Sequence, residues 1–209
     1  MARPATGRPR LVIATRSIHK LRELGDLLRL ERGILLTLDD LGVPGEPVED
    51  GATFEANARI KARFAAEATG LPSLADDSGI EVDALGGAPG PLSARFGGEG
   101  ITDEERVAFL LERLAGVPAD KRSARFRCLI AVARPEGEVN LFEGRCEGRV
   151  AEEPRGETGF GYDPVFLVPE RGLTLAELPA EEKNTVSHRG RAARRARVLL
   201  EGLLRERGA

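Results

Sequence analysis

The spacing of apolar and polar positions changes along the chain, and each change marks an element. Arg10 to Thr15 is a short apolar run that suits a buried strand, and Leu21, Leu24 and Leu28 then recur at the spacing of a helix face. Ile34 to Leu38 predicts a second strand, and Leu41 to Gly51 a loop rich in Gly and Pro. Thr53 is placed to cap a helix that runs to about Thr69, where Gly70 and Pro72 stop it. Pro72 to Ala75 predicts a short apolar strand that delivers Asp76-Asp77-Ser78-Gly79 at its end.

Further on, Gly86 to Gly98 is glycine-dense and irregular. Thr102 and Glu105 have capping-box spacing for a helix with Val107, Leu110, Leu111 and Leu114 on one face, ended by Gly116 and Pro118. Ser123 to Ala133 and Val139 to Val150 predict a hairpin turning through Pro135 to Glu138. A glycine-rich loop, Gly156 to Gly161, leads to a strand over Pro164 to Val168. Ser187 begins a final helix with Ala193, Ala196, Leu200 and Leu203 in register. Strands and helices alternate early and strands cluster later, which points to an α/β fold with a mixed sheet covered by helices.

Composition narrows the class. Apolar residues at 41% and charged residues at 31% give a globular balance, and the net charge of −3 gives no bulk attraction to nucleic acid or anionic membrane. No apolar run approaches the roughly 20 residues of a membrane span. Residues 1–9 read as a flexible N-terminal tail, residues 10–209 as a single domain, and the whole as cytoplasmic. Cys128 and Cys146 fall in strands without metal-type spacing, so they read as buried thiols. Lysine occurs only at Lys20, Lys61, Lys121 and Lys183, so a lysine inside a motif stands out.

Four polar clusters carry the chemistry. In Thr15-Arg16-Ser17-Ile18-His19-Lys20 a loop leaves a strand and opens a helix, so free amides and a positive dipole end face one point. That is either a phosphate cradle or a capped helix start with a solvated lysine. Asp76 and Asp77, with Glu49 and Asp50 from the earlier loop, repel one another unless a cation or a proton intervenes. They suit Mg²⁺, which keeps waters and shares phosphate oxygens, but Asp-Ser-Gly is also turn chemistry. Gly159-Phe160-Gly161-Tyr162-Asp163 sets a Phe and the sole Tyr among glycines, either as a face for a flat base or as aromatics folded back onto the core. Lys183, His188 and Arg189 gather just before and within the first turn of the last helix, where cations oppose the dipole. The later Arg191, Arg194, Arg195 and Arg197 read as a solvated face rather than a nucleic-acid surface.

In this order and spacing the clusters resemble the non-canonical purine nucleoside triphosphate pyrophosphatases, the inosine triphosphatase or Ham1-like family. The likeness rests on ADDSGIEVDALGGAPGPLSARFGG (75–98), GFGYDPVF (159–166) and EEKNTVSHR (181–189). In the first loop the family pattern T-x-N-x-x-K meets Ser17 at the Asn position, while Thr15 and Lys20 match.

The resemblance implies an ITPase-like fold: an elongated mixed β-sheet flanked by helices, in two lobes with a central cleft, forming a homodimer. It implies Mg²⁺-dependent hydrolysis of ITP, dITP and XTP to the monophosphate and pyrophosphate. Thr15, Arg16, Ser17, Ile18, His19 and Lys20 would hold the triphosphate. Glu49 and Asp77 would ligate Mg²⁺, and Asp77, supported by Asp76, would activate water. Ser78 would touch the substrate, as would Phe160, Gly161, Tyr162, Asp163, Lys183, His188 and Arg189 on its base and phosphates. A Maf-like pyrophosphatase of other base specificity, and a nucleotide-binding module without catalysis, are the alternative readings.

Overall fold

The computed structural model describes residues 10–30 and 34–208, with side chains to residue 205. The expected tail, residues 1–9, lies outside them. Among the described residues, seven strands and five α-helices follow in order: β1 (Leu11–Ile13), α1 (Ile18–Leu28), β2 (Leu35–Thr37), α2 (Phe54–Thr69), β3 (Ser73–Val82), α3 (Asp103–Arg113), β4 (Ser123–Ala133), β5 (Val139–Val150), β6 (Phe166–Val168), β7 (Leu173–Thr174), α4 (Ala180–Val186) and α5 (His188–Gly208). The strands form one sheet in the order β2-β1-β3-β4-β5-β6-β7. β1 runs parallel to β2 and β3, with Val12 beside both Leu36 and Ser73, while β5–β6 and β6–β7 are antiparallel. The sheet is therefore mixed, as the patterning predicts.

Local chemistry sets the helix starts. Ser17 Oγ accepts from Lys20 N–H and Thr53 Oγ1 accepts from Ala56 N–H, which caps α1 and α2. Thr102 and Glu105 complete a reciprocal capping box on α3. Ser187 Oγ accepts from Gly190 N–H at 3.1 Å and starts α5 at the position the sequence predicts. α2 ends on Gly70 at φ 65°, a left-handed position that glycine takes without strain.

The chain divides into two compact units. One contains the residues up to Asp77, Leu129–Phe142 and the chain from Ala192 onward. Its core packs Phe54, Ala58, Ala62, Ala65 and Ala66 of α2 with Val12, Ala75, Leu129 and Ala131. Small alanines let this helix approach the strands closely. The other comprises Ser78–Cys128 and Glu143–Arg191. Its core gathers Ile80, Val82, Val107, Leu110, Leu114, Phe126, Tyr162, Val165 and Phe166.

Four elements differ from the sequence reading. β3 does not stop at Ala75 but continues to Val82, so Asp76, Asp77 and Ser78 lie inside a strand rather than at its end. Asp-Ser-Gly has turn composition, but burial and ionic partners hold it extended here. β7 and α4 lie in a stretch where the pattern predicts no element, because two and seven residues are too few to display a period. Gly86 to Gly98, expected to be irregular, includes a 3₁₀ segment over Gly90–Arg95.

Candidate active site

In the first unit a buried group of acids and lysines forms around β3. Alternation along a strand sends the side chains of Asp76 and Asp77 to opposite faces, and each meets its own lysine. Lys20, on the third residue of α1, lies 3.3 Å from Asp76, whose side chain is fully buried. Lys61 of α2 donates to Asp77 Oδ1 at 2.8 Å and lies 3.2 Å from Glu49 Oε2. One turn earlier on the same helix face, Asn57 Oδ1 accepts from Gly51 N–H at 2.9 Å, and Asn57 Nδ2 points at Asp77 Oδ2 from 3.4 Å. A single buried asparagine thereby ties the loop that carries Glu49 to the strand that carries Asp77.

Lys61 is not among the residues that the sequence reading assigns to the site. Its signal is present all the same: a rare lysine flanked by Ala58, Ala62 and Ala65 on the buried side of a helix, where an unpaired ammonium would be costly.

Glu49, Asp76 and Asp77 share two ammonium groups, so carboxylates are in excess. Burial acts to lower the Lys61 pKa, but the charges of Asp77, Asp76 and Glu49 outweigh it and hold Lys61 above the ordinary lysine value. Burial raises Asp77, against the opposing pull of Lys61 and Lys20 and with a contribution from Asp76. The two directions agree with the charge count: the lysine keeps its proton, and enclosed Asp77 accepts one more readily than an ordinary aspartate.

The Thr15–Lys20 segment is tightly self-bonded. Thr15 Oγ1 accepts from Ser17 N–H at 3.2 Å, and Ser17 Oγ is the α1 cap. Arg16 leaves the segment, donating to Val43 O and lying near Asp39 and Glu46. Ile18 and His19 are exposed. Lys20 is the member of the segment that joins the acids.

In the second unit a different set assembles. Asp163 is buried and accepts from Phe160 N–H at 2.9 Å and from Lys183 Nζ at 2.7 Å. The Lys183 ammonium and the Arg189 guanidinium each lie 5.4 Å from the centre of the Phe160 ring, within cation–π range. Arg189 Nη2 donates to Ser78 Oγ at 2.8 Å, so Ser78, the residue after Asp77, belongs to this group. His188 stacks on Phe126 with centroids 4.5 Å apart and planes 9° from parallel. Gly161 N–H donates to Asp103.

Tyr162 departs from the expected aromatic face. It is buried in the core, and its hydroxyl donates to Ser93 O at 2.9 Å. Burial raises its pKa well above the usual phenol value. Of the two aromatics, only Phe160 keeps partial exposure. Lys183 stands ahead of the last helix, as the sequence predicts, but in a short helix of its own, α4. The two helices meet without room for a side chain: a Cβ built on Gly190 would fall 2.0 Å from Asn184 O.

This mixed α/β sheet, with its paired lysines and acids and its cation-flanked phenylalanine, has known relatives. The Ham1 family model matches residues 11–198, and the chain belongs to that family. Among individual relatives, the dITP/XTP pyrophosphatase of Geobacter sulfurreducens is 54% identical over 183 residues, 88% of this chain and 92% of that protein. A dITP/XTP pyrophosphatase of Thermus thermophilus is 51% identical over 185 residues, 88% of each chain. The solved structure of a HAM1 protein from Coxiella burnetii superposes with a TM-score of 0.84 at 43% identity, covering 93% of this chain and 99% of that one.

Proposed function

We propose that this protein hydrolyses non-standard purine nucleoside triphosphates, dITP, XTP and ITP, to the monophosphate and pyrophosphate. The observation that carries the reading is Asp77: a buried carboxylate of raised pKa, held in place by Lys61 and Asn57 and followed in the chain by Ser78. Its relatives' names supply the substrate class.

In the proposed reaction a water oxygen attacks the α-phosphorus, the bond to the bridging α–β oxygen breaks, and pyrophosphate leaves. Asp77 takes the water's proton, as a carboxylate whose pKa lies nearer working pH does best. Lys20 and Lys61 supply fixed positive charge toward the phosphates. The Thr15–Lys20 segment turns the positive end of the α1 dipole toward the same oxygens.

Among the described residues no three His, Cys, Asp or Glu side chains form a metal cage. Two hard carboxylates nevertheless converge on one cation, the Lys61 ammonium, and the group retains negative excess. That donor set fits Mg²⁺, which takes few protein ligands and completes its shell with water and phosphate oxygens. Glu49 and Asp77 would hold it, and when bound it would neutralise phosphate charge.

At the base end, Phe160 offers a ring for a purine to stack on, and Lys183 and Arg189 offer donors to a 6-keto oxygen. An amino group in that place would set donor against donor, at about 1–3 kcal/mol for an unpaired buried group. His188 and Asp163 brace the set. Two buried thiols without a disulfide between them suit a reducing cytoplasm, the compartment where a nucleotide pool would need such cleaning. We expect a homodimer, on the family resemblance.

The test is pyrophosphate release from ITP, XTP, dITP, ATP and GTP, with Mg²⁺ and with EDTA. Metal-dependent release from the first three and little from the last two is the expected result. Release from none would leave only a nucleotide-binding module.

A further inference from the structure

Asp103 opens α3 and belongs to none of the four polar clusters, yet its two carboxylate oxygens are divided between two tasks. Oδ1 accepts from Arg106 Nη1 at 2.7 Å, and Oδ2 accepts from the Gly161 amide at 2.7 Å. Arg106 is itself buried and donates through Nη2 to Ile101 O at 3.2 Å, which fixes the guanidinium from behind. The chain of contacts runs Ile101 O, Arg106, Asp103, Gly161 N–H. It ends on the residue between Phe160, whose ring lies by Lys183 and Arg189, and the core residue Tyr162.

The other end of the same loop is tied differently. Asp163 receives Phe160 N–H, and a Cβ on Gly159 would lie 2.2 Å from its Oδ2. Phe160 is therefore held between two carboxylates: Asp163 bonds its own amide, and Asp103 bonds the next one. Only Asp163 belongs to the cluster read from sequence.

We propose that Asp103, held by Arg106, is a positioning residue that sets the 159–163 loop so that the Phe160 ring faces the base. The inference rests on the nucleotide reading given above. A capping role for α3 alone does not account for the geometry: Thr102 and Glu105 already satisfy the first turn. Capping engages only neighbours in the first turn, whereas the partly exposed Asp103 carboxylate also reaches the amide of residue 161.

The chain contains one Tyr and no Trp, so its intrinsic emission reports on Tyr162 alone, the neighbour of the amide that Asp103 holds. The informative variant is Asp103→Asn. An amide has one acceptor oxygen where two donors wait, so either Arg106 or Gly161 must face an NH₂ group. The expected results are a KM for dITP and XTP raised by about tenfold, in keeping with loss of one charge-assisted hydrogen bond, with kcat within about twofold of wild type. The Tyr162 emission should change. Glu104→Ala, which removes a neighbouring helix-start acid without touching the loop, should leave both readouts alone. Arg106→Lys keeps a charge for Asp103 but loses the fork, and should fall between wild type and Asp103→Asn.

Unchanged KM and emission in Asp103→Asn, with only a lowered Tm, would overturn the proposal and leave Asp103 as a helix residue. Wild-type protein that releases no pyrophosphate from any of these nucleotides would instead overturn the functional reading. The positioning role would then be decided by the Tyr162 emission of Asp103→Asn against Glu104→Ala. Should Asp103→Asn not fold, Arg106→Lys carries the same comparison.

Discussion

Lys61 Nζ lies 2.8 Å from Asp77 Oδ1, and each side chain is only 10% exposed. A lysine on α2 thus restrains the carboxylate on β3 that the proposed chemistry requires to be free of its proton. Removing the ammonium leaves Asp77 enclosed beside Asp76 with its main counter-charge gone. Breaking a buried pair from one side costs about 3–5 kcal/mol. Lys61→Met should therefore lower Tm markedly, and added Mg²⁺ should recover part of the loss by neutralising the same carboxylates. Thermal melts with and without MgCl₂ decide the point; a Tm equal to wild type would show that the pair contributes little.

Asp77→Asn keeps the shape of the side chain and removes its basicity. Turnover should fall by about 10²–10⁴-fold, the range for loss of a positioned proton acceptor, while circular dichroism stays that of wild type. A kcat near wild type would take Asp77 out of the base role.

Two pH dependences follow from the same group. In the metal-free protein the raised Asp77 pKa places its deprotonation above the ordinary aspartate value of 3.8, as an NMR titration of its carboxyl carbon would show. Lys61 acts to lower that pKa, so in Lys61→Met the metal-free titration should move to still higher pH; a shift down would reverse the assigned cause. For stability the sign follows Lys61. Its folded pKa lies above 10.5, so its contribution is whole below 10.5 and disappears as pH rises through the folded value. The Tm difference between wild type and Lys61→Met should narrow above that pH.

Asp163 and Lys183 form a second buried pair, with side chains 4% and 7% exposed. Lys183→Met should destabilise strongly, because it strands a buried carboxylate that also holds Phe160 N–H. Adding Asp163→Asn should restore part of the stability without restoring selectivity for dITP and XTP over ATP. Urea unfolding of the two single variants and the double variant closes the cycle. Additive losses would mean that the two groups do not interact.

Burial lifts the Cys146 thiol to about 11, so at neutral pH it is a poor nucleophile. Cys128 is equally buried. Ellman's reagent should modify neither in the native protein and both in guanidinium; rapid native reaction would mean that the second unit opens readily.

Much of this is legible in the sequence, and the failures share a cause. The capping chemistry of Thr53, Thr102 and Ser187 is local, within three residues, and each cap stands at its expected position. The hairpin of β4 and β5 declares itself through two long runs and a glycine turn. What fails depends on partners distant in the chain. Nothing near Asp76 and Asp77 says that Lys20 and Lys61 will meet them, so where the structure has a buried ionic strand the sequence leaves a metal site and a turn equally open. Tyr162 looks like a ligand-facing aromatic because its acceptor, Ser93 O, is 69 residues away. Asp103 looks like an ordinary helix-start acid because its second oxygen serves a loop 58 residues on.

The contact between α4 and α5 has a genetic consequence. At Gly190 the carbonyl of Asn184 occupies the place where a Cβ would go. Every missense change of a glycine codon adds at least that carbon. This one codon therefore tolerates no amino-acid exchange without shifting the turn between Lys183 and Arg189. Its neighbour codon for Arg191, whose side chain reaches out to Arg145 O at the surface, carries no such restriction. In a saturation library scored by growth on a mutagenic nucleotide analogue, position 190 should appear as a column of loss and position 191 should not.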